Sequence, residues 1–361
     1  MSMPSAVAVP SAERTAAPAA VRAWLFFVAG LVFLMVMVGG ATRLTDSGLS
    51  ITEWQPILGA IPPLTDADWQ EAFAKYKQIP EYREINRGMS LEAFKVIFWW
   101  EWAHRFLGRI IGLAFALPLA FFWLTGRLPR GLALPLVGLF ALGGLQGAIG
   151  WYMVQSGLTE GVDVSPYRLA LHLTMAILIL ALLVWTALGI DTGREPAAAR
   201  LDPLGARGRR RAALIVALLF VQVVAGAFVA GHKAGLTYNT WPLMGDRLIP
   251  EGLATLSPWW LNPFENITTI QFNHRMLAYL IVAIGLWHAW SVWRRADDGS
   301  QRVTAALLGA GLIGQAVLGI ATLLAVTDAK IPIGLGVAHQ AGAAALVALA
   351  VWHLHTLRPA R

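Results

Sequence analysis

Four of the eight histidines in this 361-residue chain fall into two matched pairs, and the chain has no cysteine. His104 and His274 open the near-identical stretches "HRFLG" and "HRMLA", 170 positions apart, while His172 and His339 stand 167 apart. Without cysteine there is no disulfide, thiolate ligand or iron–sulfur cluster, so any metal chemistry rests on histidine, methionine or carboxylates. Charged groups crowd the first pair. In "FWWEWAHRFLGRIIG", residues 98 to 112, Glu101, His104, Arg105 and Arg109 interrupt a run that is otherwise apolar. Inside a bilayer each of these is costly, so their presence points to a functional site.

The elements that carry these residues follow from composition. Hydrophobic residues make up 57% of the chain and charged residues 14%, which indicates a polytopic membrane protein. Crossing about 30 Å of hydrocarbon takes roughly 20 apolar residues. Runs of that order fall at 22–42, 93–124, 132–154, 168–190, 211–231, 268–292, 303–326 and 335–356, which predicts eight helices. Arg207, Arg209, Arg210 and Arg211 lie in the connection before the fifth span. The positive-inside rule therefore puts that connection and both termini in the cytoplasm, and the net charge of +7 calls for no nucleic-acid partner. The first run is of spanning length, so it is read as a membrane helix and not as a cleaved signal peptide.

The halves of the chain match in order. "SGLSITEW" from Ser47 corresponds to "AGLTYNTW" from Ala234, with Gly39 matching Gly226 at the same offset of 187, and "LQGAIG" from Leu145 corresponds to "GQAVLG" from Gly314. Ordered matches of this kind indicate an internal repeat. They predict two tandem four-helix bundles with the same orientation, related by an axis along the membrane normal. Spans two, four, six and eight then run inward, and their histidines share one depth toward the outer face.

Facing histidines on two helices of a bundle suit axial ligation of a haem iron. The competing reading is a set of packed or hydrogen-bonded histidines, which four equivalent positions in a repeat disfavour. Structural zinc fits poorly, because it takes four ligands where each half offers two histidines. His288, His353 and His355, near cytoplasmic ends, and His232, in an outer loop, have no partner in the repeat and are read as interfacial. Arg105 and Arg275 follow the helix-two histidines and suit a bidentate grip on a haem propionate, or else snorkel to lipid headgroups. Gln146 and Gln315 match and are pocket or packing residues of both halves.

The repeat breaks one turn before the first histidine. Glu101 stands where the other half has Gln271. Residues three apart share a helix face, so Glu101 is expected beside His104, where a carboxylate can move protons or stabilise developing positive charge. Alternatively it only pairs with Arg105. In the first outer loop, Thr65 and Asp68 form the pattern of a capping box. Trp69, Phe73 and Tyr76 then fall on one face of a short helix, which is expected to lie on the membrane surface.

"GGATRLTDSGLSITEWQPILGAIPPL", "EWAHRFLGRIIG", "HKAGLTYNTWPLM" and "FNHRMLAY" strongly resemble the heme A synthase family of mitochondria and proteobacteria, over the chain from Arg22 to His355. The resemblance implies an eight-span inner-membrane enzyme that oxidises a methyl group of heme O to the formyl group of heme A, which cytochrome oxidases need. It implies that His104 and His172 take the substrate haem, that Glu101 is catalytic, and that His274 and His339 hold a haem b. Some bacterial members carry a cysteine pair in an outer loop; this chain has none, so no step through such a pair operates here.

The sequence thus reads as an all-α membrane protein of two tandem four-helix bundles. A disordered tail spans 1–21, an N-terminal unit 22–190 with an outer loop at 43–92, and an Arg-rich linker 191–210. A C-terminal unit of 211–356 and a tail of 357–361 follow. The expected partners are the lipid bilayer, heme O and heme A, a heme O synthase and an electron donor, and a homo-oligomer is left open. Two other functions fit a bis-histidine haem b protein: a quinol or ferric reductase, and a haem carrier.

Overall fold

The computed structural model describes residues 11–159, 161–191 and 205–358. Among these there is no strand, only isolated bridges. The helices are α1 (Ser11–Leu44), α2 (Asp66–Tyr76), α3 (Pro80–Glu84), α4 (Leu91–Leu124), α5 (Ala133–Thr159) and α6 (Pro166–Leu188). After them come α7 (Gly205–Gly231), α8 (Asn262–Glu265), α9 (Ile267–Arg295), α10 (Gly299–Leu324) and α11 (Ile333–Thr356). All except α2, α3 and α8 are long and apolar enough to span a membrane, giving eight candidate spans. A helix satisfies its own backbone within hydrocarbon, which is why apolar runs of this length take that form.

Two boundaries differ from the sequence expectation. Helix α1 begins at Ser11, within the segment read as a tail, and residues 1–10 lie outside the described residues. Of the expected linker, residues 192–204 lie outside them too. Helix α7 begins at Gly205, so Arg207 to Arg211 occupy its first two turns.

Helix α1 packs on α4 and α6, and α5 packs on the same two; α7 packs on α9 and α11, and α10 on those two in turn. The two groups meet through α6 against α7 and α11, and through α1 against α11. One apolar cluster runs through this seam and includes Leu25, Val28, Leu183, Ile215 and Val347. On one side of the seam, Asp163 takes Lys233 at 2.7 Å and Arg43 at 3.5 Å.

The helices that carry His104 and His274 are both started by side-chain caps. Ser90 accepts from the amide of Ala93 ahead of α4, and Asn266 accepts from that of Thr269 ahead of α9. These oxygens take up amides that a helix N-terminus leaves unbonded.

Helix α2 carries the expected capping box between Thr65 and Asp68. Its apolar face goes to protein and not to the membrane surface. Trp69 meets Phe98 with ring centroids 5.0 Å apart, and Phe73 meets Phe94 at 4.9 Å. Both partners lie on the first turns of α4, and with Tyr76, Leu49 and Leu158 they form a second buried cluster. Aromatic pairs add to area burial in such a cluster, so the segment of α2 is fastened to the helix that carries Glu101 and His104.

Candidate functional site

Each of the four matched histidines lies over a glycine of the preceding long helix. A Cβ at Gly39 of α1 would stand 3.1 Å from Nε2 of His104, and one at Gly226 of α7 3.1 Å from Cε1 of His274. At Gly150 of α5 and Gly319 of α10 it would stand 2.9 Å from His172 and 2.8 Å from His339. A Cβ at Gly150 or Gly319 would force a shift, and one at Gly39 or Gly226 would require the imidazole to give by a few tenths of an ångström.

One turn before three of these glycines is a glutamine that holds the histidine. The side-chain amides of Gln146, Gln222 and Gln315 lie 3.1 Å from Nδ1 of His172, His274 and His339 respectively. Each also donates to the main-chain carbonyl of its histidine, at 3.0, 3.1 and 2.9 Å. The Oε1 atoms of all three are buried and without a partner.

These features fit a haem. The ring orientation of a metal-bound imidazole is set by the partners around it. Each glutamine Nε2 touches both a ring nitrogen and the main-chain carbonyl of its histidine, which holds the ring in place. Among the described residues no three His, Cys, Asp or Glu side chains gather into a metal site. A closed tetrahedral centre is therefore not offered by them, whereas a pair of imidazoles suffices for an iron whose other ligands come from a porphyrin.

Glu101 is 2% exposed and saturated with donors. Its Oε2 accepts from Ser50 Oγ and from the amide of Ile51, both at 2.7 Å, and its Oε1 accepts from Arg105 Nε at 3.0 Å and from the Arg105 guanidinium terminus at 2.6 Å. The pairing with Arg105 thus forms, together with two bonds to the loop between α1 and α2. Such charge-assisted bonds are the strong ones, and a buried carboxylate without them would be very costly.

Arg105 and Arg275 clamp corresponding loops. Arg105 donates to the carbonyls of Ile51 at 2.7 Å and Glu53 at 2.8 Å. Arg275 donates to Tyr238 at 2.7 Å and Thr240 at 2.9 Å, each 187 positions further along. Arg109 does the same one turn on, donating to Gln55 and Pro56 at 2.8 Å each. In the other half, Tyr279 at the corresponding place accepts from Trp241 Nε1 at 2.9 Å.

The interfacial reading fails for two histidines. His288 and His353 are fully buried and face each other with Nε2 atoms 3.0 Å apart. Thr304 Oγ1 sits 2.8 Å from the other nitrogen of His353. They are 65 positions apart and neither has a match in the repeat, so nothing in the sequence joins them. His232 stacks on Phe228 and His355 lies edge-on to Trp185. Sequence reasoning also missed Gln222, Gly150 and Gly319. The signal was present as a glutamine four residues before a glycine in three spans.

Comparison with known proteins identifies relatives of the chain. The profile of the COX15-CtaA family, described as cytochrome oxidase assembly protein, matches residues 22–351. The heme A synthase of Parvibaculum lavamentivorans is 52% identical over 338 residues, 94% of each chain. That of Rhodospirillum centenum is 53% identical over 347 residues, 95% of this chain and 90% of its own. That of Agrobacterium fabrum is 54% identical over 333 residues, 92% and 88%. With half of all positions identical along nearly its whole length, the chain belongs to the COX15-CtaA family of cytochrome oxidase assembly proteins.

Proposed function

We propose that this chain is a heme A synthase, a membrane oxidoreductase that converts a methyl group of heme O into the formyl group of heme A. The family supports the reaction. The observation that carries the assignment of roles within the chain is the pairing of two glycine-cradled histidine pairs with a single buried glutamate beside one of them. Heme O is the substrate of the unit at 22–190, held by His104 and His172. A haem b is the resident cofactor of the unit at 211–356, held by His274 and His339, and supplies electron transfer when bound.

The chain's own groups bind, orient and balance charge. The glycines let two helices approach each histidine, and the glutamines set three of the rings. Arg105 and Arg275 hold the outer loops down as the roof of each pocket, and each keeps an unused N–H for a propionate. Glu101 already accepts four hydrogen bonds, so its lone pairs are taken. This favours an electrostatic and positioning role over proton abstraction. It fixes Ser50 and Ile51 and would put negative charge beside the His104 site, able to stabilise positive charge that develops there.

In this reading both termini lie in the cytoplasm, and the haem sites lie toward the outer face of the bacterial inner membrane. The test is chromatography with mass spectrometry of haems extracted from cells that make heme O, with and without this protein. Heme A, or its hydroxylated precursor, should depend on the protein. Unchanged heme O alongside a protein loaded only with haem b would favour a reductase or carrier instead.

A further inference from the structure

Three of the four cradled histidines are tied to the preceding helix by a glutamine, and the fourth is not. The place on α1 that corresponds to Gln222 is Met35, 187 positions earlier, the offset that also relates Gly39 to Gly226. Met35 lies against the helix that carries His104. Its methyl carbon would stand 3.5 Å from a Cβ on Gly108, one turn beyond that histidine. The ring of His104 makes no hydrogen bond to any described residue.

An imidazole hydrogen-bonded by an outer partner has a fixed orientation, and loss of such a partner typically weakens metal binding about 10–100-fold. A thioether has no N–H to donate; methionine here fills space with a soft, adaptable side chain. The N-terminal pair is therefore unequal, with His172 anchored by Gln146 and His104 unanchored, while the C-terminal pair is anchored on both sides.

We propose that Met35 is a positioning residue that makes His104 the releasable ligand, so that haem in the N-terminal half exchanges while haem in the C-terminal half is retained. This rests on the haem reading above and deepens it, because an enzyme whose product is itself a haem has to let that haem go. The two halves divide the work by a difference outside the iron ligands, which are histidine in all four places.

The experiment follows release of ferric haem b from the full-length protein in detergent to excess apomyoglobin, with electron paramagnetic resonance of the bound low-spin haem. The wild type should release in two phases, the fast one abolished by His104→Ala. Met35→Gln should slow the fast phase about tenfold or more and shift the low-spin signal of that haem toward that of the retained one. The reciprocal Gln222→Met should accelerate the slow phase by a similar factor, and Met35→Leu should release like the wild type. A fast phase within twofold of wild type in Met35→Gln would overturn the proposal. So would equal slowing by Met35→Leu, because packing and not the hydrogen bond would then be responsible. Release from both halves at one rate in the wild type would overturn it too. A wild type that takes up no haem b at all sinks the haem reading itself, and the proposal with it.

Discussion

Glu101 and Gln271 occupy corresponding turns of α4 and α9 but bind the loop that precedes each helix in opposite senses. Glu101 Oε2 accepts from the amide of Ile51 at 2.7 Å, whereas Gln271 Nε2 donates to the carbonyl of Tyr238 at 3.0 Å. Ile51 and Tyr238 are themselves corresponding residues, 187 apart. Exchanging an acid for its amide has thus reversed a hydrogen bond at a fixed place in the fold. It also leaves Gln271 Oε1 buried without a partner, while both oxygens of Glu101 are fully used.

Glu101→Gln should therefore do more than remove a charge. One end of the amide cannot accept, so the bonds from Arg105 and from the Ser50–Ile51 amide cannot both survive, and Arg105 is left without its counter-ion. We expect heme A formation to fall at least tenfold, with the haem content of the C-terminal half unchanged. Haem extraction from cells checks the first and the haem stoichiometry of the purified protein the second. Wild-type product from this variant would end the role assigned to Glu101.

The glycine cradles make a sharper prediction, since one added methyl group should matter at some glycines and not at others. Gly319→Ala would bring a Cβ to 2.8 Å from His339 and Gly150→Ala to 2.9 Å from His172, whereas Gly147 and Gly314 have nothing within 4 Å of an added Cβ. The first two substitutions should strip most haem from the half they belong to. Gly147→Ala and Gly314→Ala should keep it and gain up to about 1 kcal/mol of helix stability. Haem per protein, measured as the pyridine adduct, decides.

His288 and His353 form a buried hydrogen bond between α9 and α11 with no assigned part in haem binding. Replacing His353 by Leu leaves a buried ring nitrogen of His288 without its partner, at a cost of about 1–3 kcal/mol. Replacing both, as His288→Phe with His353→Leu, should cost less than the sum of the two single changes. Thermal unfolding of the four proteins in a double-mutant cycle gives the coupling; simple additivity would mean that the bond contributes nothing.

The α2–α3 segment should respond to pH through Glu81 of α3. Burial is the main reason its carboxyl is pushed up to about 7, and the nearby carboxylates of Asp46, Glu101 and Asp163 act in the same direction against the hydrogen bond from Tyr76. The folded segment thus holds this proton more tightly than the open one. Its packing is most stable below the ordinary glutamate range and weakens as pH rises toward 7 and beyond. Amide hydrogen exchange across α2 and α3, corrected for intrinsic rate, should quicken between about pH 5 and 8. Glu81→Gln should flatten that dependence, and an unchanged slope would remove Glu81 as its source.

Much of this was written in the chain itself. Span number followed from apolar length, because a bilayer of given thickness sets how many residues a helix needs. The histidine pairs and the Glu101/Gln271 difference followed from internal matching, which compares positions and needs no geometry. Asp68 and Thr65 likewise announced the start of α2, since a capping box is local. What the tertiary structure alone decided was the facing of side chains between helices. Gln222 escaped notice because its counterpart is Met35, and matching by identity passes over positions that differ. His288 and His353 are unrelated in sequence and meet only through the rotation of α9 against α11. Trp69 and Phe73 turned to α4 where a flat reading put them on lipid. The physical reason is that lipid and protein interior are both apolar: a spanning helix carries no amphipathic stripe to say which face points inward, and an apolar face such as that of α2 fits either surrounding, so only packing settles it.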